Sequence, residues 1–197
     1  MIIQSTYENT RKQMRAGDVI FFRNGKPDPL SAIIKILTGG PTHCALVLHS
    51  SDRVTLAEST IRNGVNGVQQ SYLDERLQDY VDGCAWWCPL AYDIVYKADW
   101  AAFENAVTTA MGRPYDIAGL AEFLFRRVVK LKEEKAVFCS AFVCIPLEAA
   151  GIIPHEVDYA AVSPEDLVKE PIYAADYYQI LGNRRELNHW NSVPIAA

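Results

Sequence analysis

The side chains able to do chemistry in this chain are five cysteines (Cys44, Cys84, Cys88, Cys139, Cys144) and four histidines (His43, His49, His155, His189). An odd thiol count in 197 residues does not describe a disulfide framework. A free thiol becomes a nucleophile only as the thiolate, which needs a cation or a helix N-terminus beside it. Cys139 has that placement, because it opens a helical run after the charged stretch LKEEKA. The unpaired N–H groups and the dipole of a helix start favour an anion. The alternative is an inert buried helix thiol. Cys144 is rotated about 140° from Cys139 and cannot share its cleft.

The other three thiols read as structural. Cys44 follows His43 on a predicted strand, so the two point to opposite faces, and Cys44 is expected in the core, away from any site. Cys84 and Cys88 share a strand face about 13 Å apart, too far for a disulfide. Only a helical 84–90 segment would let them share a metal, and no metal is expected.

A thiolate needs a base, and the base an orienting group. His43 starts a predicted strand just after Gly39-Gly40-Pro41, where a strand end meets a cleft. His49 falls on the same predicted face about 20 Å away. His155 lies in a predicted loop and His189 in an irregular tail. The strand 54–59 carries Glu58, and a hairpin turning near 50–52 brings Glu58 back to His43. There it would hold the imidazole's tautomer and favour its charged form. The competing readings are a half-exposed strand carboxylate and a hydrogen-bonded structural histidine.

These residues need elements to position them. Strands are predicted at 18–23, 43–49, 54–59 and 84–90, with 63–68 (NGVNGV) rich in turn residues. Helical spacing marks 30–38, 71–77, 99–111, 117–132 and the run from Cys139, which Pro146 should interrupt or follow with a second segment. Ser163-Pro164-Glu165-Asp166 reads as a capped helix start. The tail after Asp176 shows no period. The result is an α+β domain with an antiparallel sheet.

Half the residues are hydrophobic and the formal net charge is −5, enough apolar content for one domain without staples. The acidic balance argues against nucleic acid, which calls for a basic surface. No signal peptide or membrane span is read, so a cytoplasmic protein is the default expectation, with delivery to a cell envelope by another route as the alternative.

Four segments together resemble a known family. Gly112-Arg113-Pro114-Tyr115-Asp116-Ile117-Ala118-Gly119 and Phe138-Cys139-Ser140-Ala141-Phe142-Val143 resemble the front half of NlpC-type papain-like amidases. Gly17-Asp18-Val19-Ile20-Phe21-Phe22 and Thr42-His43-Cys44-Ala45-Leu46-Val47 resemble the back half. The halves stand in exchanged order, which is similar to the circularly permuted, YiiX-like branch and to the plan of lecithin:retinol acyltransferases. The resemblance covers 16–60 and 112–151. It implies a papain-like α+β fold with core 16–175 and tail 176–197, and a catalytic Cys139–His43–Glu58 set. It also implies that Tyr115 lines the site, that the Cys139 N–H serves as oxyanion donor, and that no cofactor is required. The chain departs from the pattern at Phe138, Ala141 and Pro146, positions that bear on the substrate. The expected activity is cleavage of an amide in a peptide or peptidoglycan stem. The alternatives are lipid acyl transfer or hydrolysis, helped by an amphipathic 117–132, and a non-catalytic binding module.

Overall fold

A computed structural model of the chain describes residues 1–25, 40–115, 138–154, 158 and 162–192. The helices expected at 30–38 and 117–132, and His155, lie outside the described residues.

Seven strands form one sheet: β1 (Ile2–Gln4), β2 (Val19–Arg23), β3 (His43–Ser50), β4 (Val54–Arg62), β5 (Val65–Tyr72), β6 (Cys84–Cys88) and β7 (Tyr177–Leu181). Their order is β1-β7-β6-β2-β3-β4-β5. Neighbours are antiparallel, as expected, except β1 and β7, which run parallel. The helices are α1 (Tyr7–Thr10), α2 (Leu73–Asp79), α3 (Tyr92–Lys97), α4 (Trp100–Ala110), α5 (Cys139–Ala149) and α6 (Pro164–Lys169). The architecture is α+β, consistent with a papain-like fold.

Both faces of the central strands are covered, which explains the unbroken apolar run of β2. Val19, Phe21, Cys44, Leu46, Trp86 and Cys88 point to the face where α4 and α5 pack. Ile20, Phe22, Ala45, Val47, Leu56 and Trp87 point to the other, under α2 and the N-terminal segment. The period-two alternation of these side chains is the reason one strand can feed two cores. Between Gly17 (φ 86°) and β2, the buried Asp18 ties three segments together. Its carboxylate accepts from Trp87 Nε1 (2.8 Å), Leu90 N (3.0 Å) and Arg15 N (2.9 Å).

Several expectations are corrected. The turn-rich 63–68 contains a turn only at Asn63-Gly64, both with positive φ (52° and 77°) as a two-residue hairpin needs. From Val65 the chain is strand β5. The supposed tail contributes β7 to the sheet interior, and Ile2–Gln4, ahead of the expected core, adds β1. Pro146 does not interrupt α5, which runs through it to Ala149. Pro146 lies in the last turn, where it removes one amide N–H and still accepts from Ala150 N (3.0 Å). His49 does not share the face of His43. The pairing shifts between Val47 and His49, setting His49 opposite Thr55, so the extra residue Leu48 flips it.

α5 carries the nucleophile candidate and packs against β3, β4 and α4. Its first six residues, Cys139 to Cys144, are all buried, so it is a core helix without a solvent stripe there. Phe142→Ala should therefore cost about 3–5 kcal/mol in urea unfolding, while Tyr92→Ala, on a side chain 75% exposed, should stay within about 0.5 kcal/mol.

Candidate active site

His43 is the first residue of β3, and the segment before it is pinned. Thr42 N donates to Phe22 O (2.8 Å), and Arg23 Nη1 donates to Gly40 O (3.0 Å). A side chain at Gly40 would collide with the carboxylate of Glu165 on α6. The imidazole is therefore presented from a fixed strand end.

Glu58 lies on β4, on the same sheet face as His43, and is fully buried. His43 Nε2 stands 2.6 Å from Glu58 Oε2. Ser71 on β5 donates its hydroxyl to Oε1. Arg76 on α2 reaches the same carboxylate with Nε, 2.8 Å from Oε1 and 3.1 Å from Oε2. Arg76 also pairs with Asp79 (2.6 Å) and lies over the rings of Phe22 and Tyr80. Those two rings stack at 4.7 Å, and Phe22 lies beside His43 at 5.9 Å between centroids. This aromatic wall shields the carboxylate from water.

Cys139 stands at the start of α5 and is 3% exposed. Its thiol and the His43 ring act on each other electrostatically, each favouring the other's charged form. With Nε2 engaged by Glu58, the other ring nitrogen is left for the sulfur. The residue before α5 is Phe138, whose side chain makes no cap to the first N–H groups of the helix. Ser140 Oγ donates to Val162 O (2.7 Å), fixing the helix start against the segment that leads into α6.

Cys44 is a fully buried core residue, as expected, and it bears on Cys139 electrostatically, which was not expected. The Cys44 thiol and backbone N–H are the neighbours that do most, with His43, to lower the Cys139 thiol. Alternation does place His43 and Cys44 on opposite sheet faces.

The electrostatics separate Cys139 from the other thiols. Its thiol is held well below the usual range, first by the Cys44 hydrogen bond and then, against burial, by the His43 charge and hydrogen bond. Burial pushes Cys44, Cys84, Cys88 and Cys144 up. For His43, burial opposes the charge, but the Cys139 thiolate and Glu58 outweigh it and raise the ring to about 9. For Glu58, burial opposes ionisation, yet His43, Arg76 and Ser71 lower it to about 2. The arrangement is a thiolate–imidazolium pair backed by a carboxylate.

Tyr115 is buried, and its N–H donates to Asn66 Oδ1 (3.2 Å), which anchors it beside β5. Cys84 and Cys88 share one sheet face, as expected, and the Cys84 thiol lies 3.8 Å from Asn183 O. Among the described residues, no three His, Cys, Asp or Glu side chains are grouped to hold a metal ion. Ser71, Arg76 and Cys44 were not foreseen. A signal for Arg76 exists, because it sits three residues after Leu73 on the face of α2 turned to the sheet, a position normally apolar.

The fold has a solved counterpart. The crystal structure of the metalloprotein YiiX from Escherichia coli O157:H7 superposes with a TM-score of 0.51 at 16% identity, covering 70% of this chain and 67% of that one. At that identity the likeness is one of fold. No family model and no curated protein matches the chain. Among the described residues, no helix is long and apolar enough to cross a membrane.

The ionised pair has a signature in stability. The His43 contribution is whole below about 6.5 and is lost as the pH rises to about 9. Cys139 has the opposite sign: its contribution is whole above 9.0 and shrinks as the pH falls. Between these limits the folded chain holds one proton on His43 and the unfolded chain holds one on Cys139, so the slopes offset. The unfolding free energy in urea should accordingly vary little from about pH 6.5 to about pH 9 on account of this pair. In Cys139→Ala the thiolate that does most to raise the His43 ring is gone and burial still opposes its charge, so the ring should titrate lower than in the native chain, read by NMR of its carbon-bound protons. The Glu58 contribution is lost only as the pH drops from 4.5 through about 2. A His43 titration unmoved by the substitution would mean that no thiolate acts on the ring.

Proposed function

We propose that the chain is a thiol-dependent hydrolase of the permuted NlpC-type plan, cleaving an amide bond in a peptide or a peptidoglycan stem peptide. The observation that carries this reading is the convergence of Cys139, His43 and Glu58, with the His43–Glu58 contact at 2.6 Å and the thiol lowered only at Cys139.

In this mechanism the Cys139 thiolate attacks the carbonyl carbon, and the electrons of the C=O bond move onto oxygen. The Cys139 N–H, at the uncapped start of α5, donates to that oxyanion. The tetrahedral species collapses as His43 gives its proton to the leaving amine. Water then attacks the thioester with His43 as base, releasing the carboxylic acid and restoring the ion pair. Glu58 accepts from Nε2 throughout and fixes the ring. Tyr115 is assigned to the substrate cleft on the strength of the family resemblance.

Amine release from a panel of amide and stem-peptide substrates tests this reading. Cys139→Ala should abolish turnover, and His43→Ala should lower kcat by about 10²–10⁴-fold. Glu58→Gln should lower it less, since the neutral amide still contacts the ring. Turnover surviving in Cys139→Ala would overturn the proposal. Activity confined to lipid esters would instead favour the acyl-transfer plan.

A further inference from the structure

A cavity of about 280 Å³ lies beside the segment that leads into β3, outside the Cys139–His43–Glu58 set. Its walls are of two kinds: Pro41, Trp86 and Leu187 are apolar, whereas Arg23 and Arg185 are cationic. Arg23 ends β2 and is buried, with Nη1 donating to Gly40 O (3.0 Å). Arg185 belongs to a stretch that is neither helix nor strand. Side chains of β6 and β7 nevertheless fasten that stretch at four points. Gln179 Nε2 donates to Asn183 O (2.7 Å), and Arg185 N donates to Gln179 Oε1 (2.7 Å). Trp86 Nε1 donates to Arg185 O (2.9 Å), and Leu187 N donates to the Tyr177 hydroxyl (2.9 Å). Gln179 is fully buried, so its amide serves this segment from within the core. The backbone that carries the second guanidinium is therefore fixed at the cavity wall.

Two cations lining one cavity repel each other. Burial and the Arg185 charge both work against the Arg23 cation. The carboxylates nearby do not cancel this pair. Glu186 also lines the cavity, but its Oε1 lies 3.7 Å from Arg184 Nη2. Glu165 stands behind Gly40, where burial pushes its carboxyl up, toward the neutral form. An anion between the two arginines would offset their repulsion. We propose that this cavity binds the carboxylate of a small organic acid, seated between Arg23 and Arg185 with its carbon chain against Trp86, Pro41 and Leu187. The planar guanidinium fork matches a carboxylate in two parallel hydrogen bonds. Sites for drug-sized ligands span roughly 300–1,000 Å³, so this occupant is smaller, a short acid or a single residue. A free acid and the C-terminus of a peptide share that chemistry. The wall at Gly40-Pro41 runs on through Thr42 to His43, so the bound acid lies at the strand end that presents the imidazole. The site stands on its own lining and does not depend on Cys139 cleaving an amide.

Trp86 supplies a local readout, because its indole lines the cavity and its N–H holds Arg185 O. The isotope-labelled full chain should be titrated with hexanoate, hexanol, N-acetylalanine and inorganic phosphate while the Trp86 indole resonance is followed by NMR. Hexanoate and N-acetylalanine should shift it saturably, and hexanol should not. The tighter of the two acids tells a free acid from a peptide terminus. Arg185→Gln alters an exposed side chain, so the fold should persist. It should weaken hexanoate binding by about tenfold or more, the worth of one charge-assisted hydrogen bond. Lys12→Gln removes an exposed cation near the other end of β3, where Ser50 donates to Arg11 O, and should leave binding unchanged. The inference is overturned if neither acid moves the resonance or if hexanol moves it as hexanoate does. It is equally overturned if phosphate alone binds, or if Arg185→Gln binds hexanoate as tightly as the native chain. A chain that binds the acids but hydrolyses no amide would remove the hydrolytic reading alone.

Discussion

The site depends on burying the Glu58 carboxylate. A carboxylate taken fully out of water costs several kcal/mol unless its oxygens are paired and hydrogen-bonded. Here three partners supply that compensation: His43 from β3, Ser71 from β5 and Arg76 from α2. Each comes from a different element, so satisfying one side chain fixes the relative placement of two strands and a helix. Arg76 is itself held by Asp79 and by the rings of Phe22 and Tyr80, which prevents it from following solvent. With the carboxylate anionic, the neighbouring imidazole is drawn to its charged form. The positive ring then favours a thiolate at Cys139. The charges thus alternate in a row from Arg76 through Glu58 and His43 to Cys139.

That row crosses from one side of the sheet to the other. Glu58, His43 and Arg76 belong to the face beneath α2, whereas Cys139 belongs to the helix on the opposite face. The crossing is possible only at a strand end, and His43 is the first residue of β3. Deeper in the strand the sheet itself would separate them. Four thiols are shifted up by burial, and the one beside the imidazolium is shifted down.

Much of this was legible in the sequence, and the parts that were not have physical causes. The β3–β4 hairpin was legible because HCALVLH and VTLAES are β-rich runs joined by a polar turn, and that hairpin alone brought Glu58 to His43. The capped start of α6 was legible because Ser163 and Asp166 form a reciprocal box. β5 was hidden by its glycine and asparagine content, since turn chemistry at Asn63-Gly64 masks a strand whose outer positions are polar. β1 and β7 are three and five residues long, too short for a period to show, and their pairing joins the two ends of the chain. Cys44 was legible as a core residue because alternation sets it on the face opposite His43. Ser71 and Arg76 follow from an accounting no local pattern supplies: a buried carboxylate on β4 requires donors from whatever packs over it.

The account turns on Cys139 being a thiolate paired with the His43 imidazolium in the resting chain. The most direct measurement is the pH dependence of the rate at which iodoacetamide alkylates Cys139 in the native protein, located by peptide mapping. An ion pair predicts that the rate is already at its plateau well below the ordinary thiol range near about 8.5 and falls only on the acid side. A rate that instead climbs through a midpoint near about 8.5, as a free thiol's does, would contradict it.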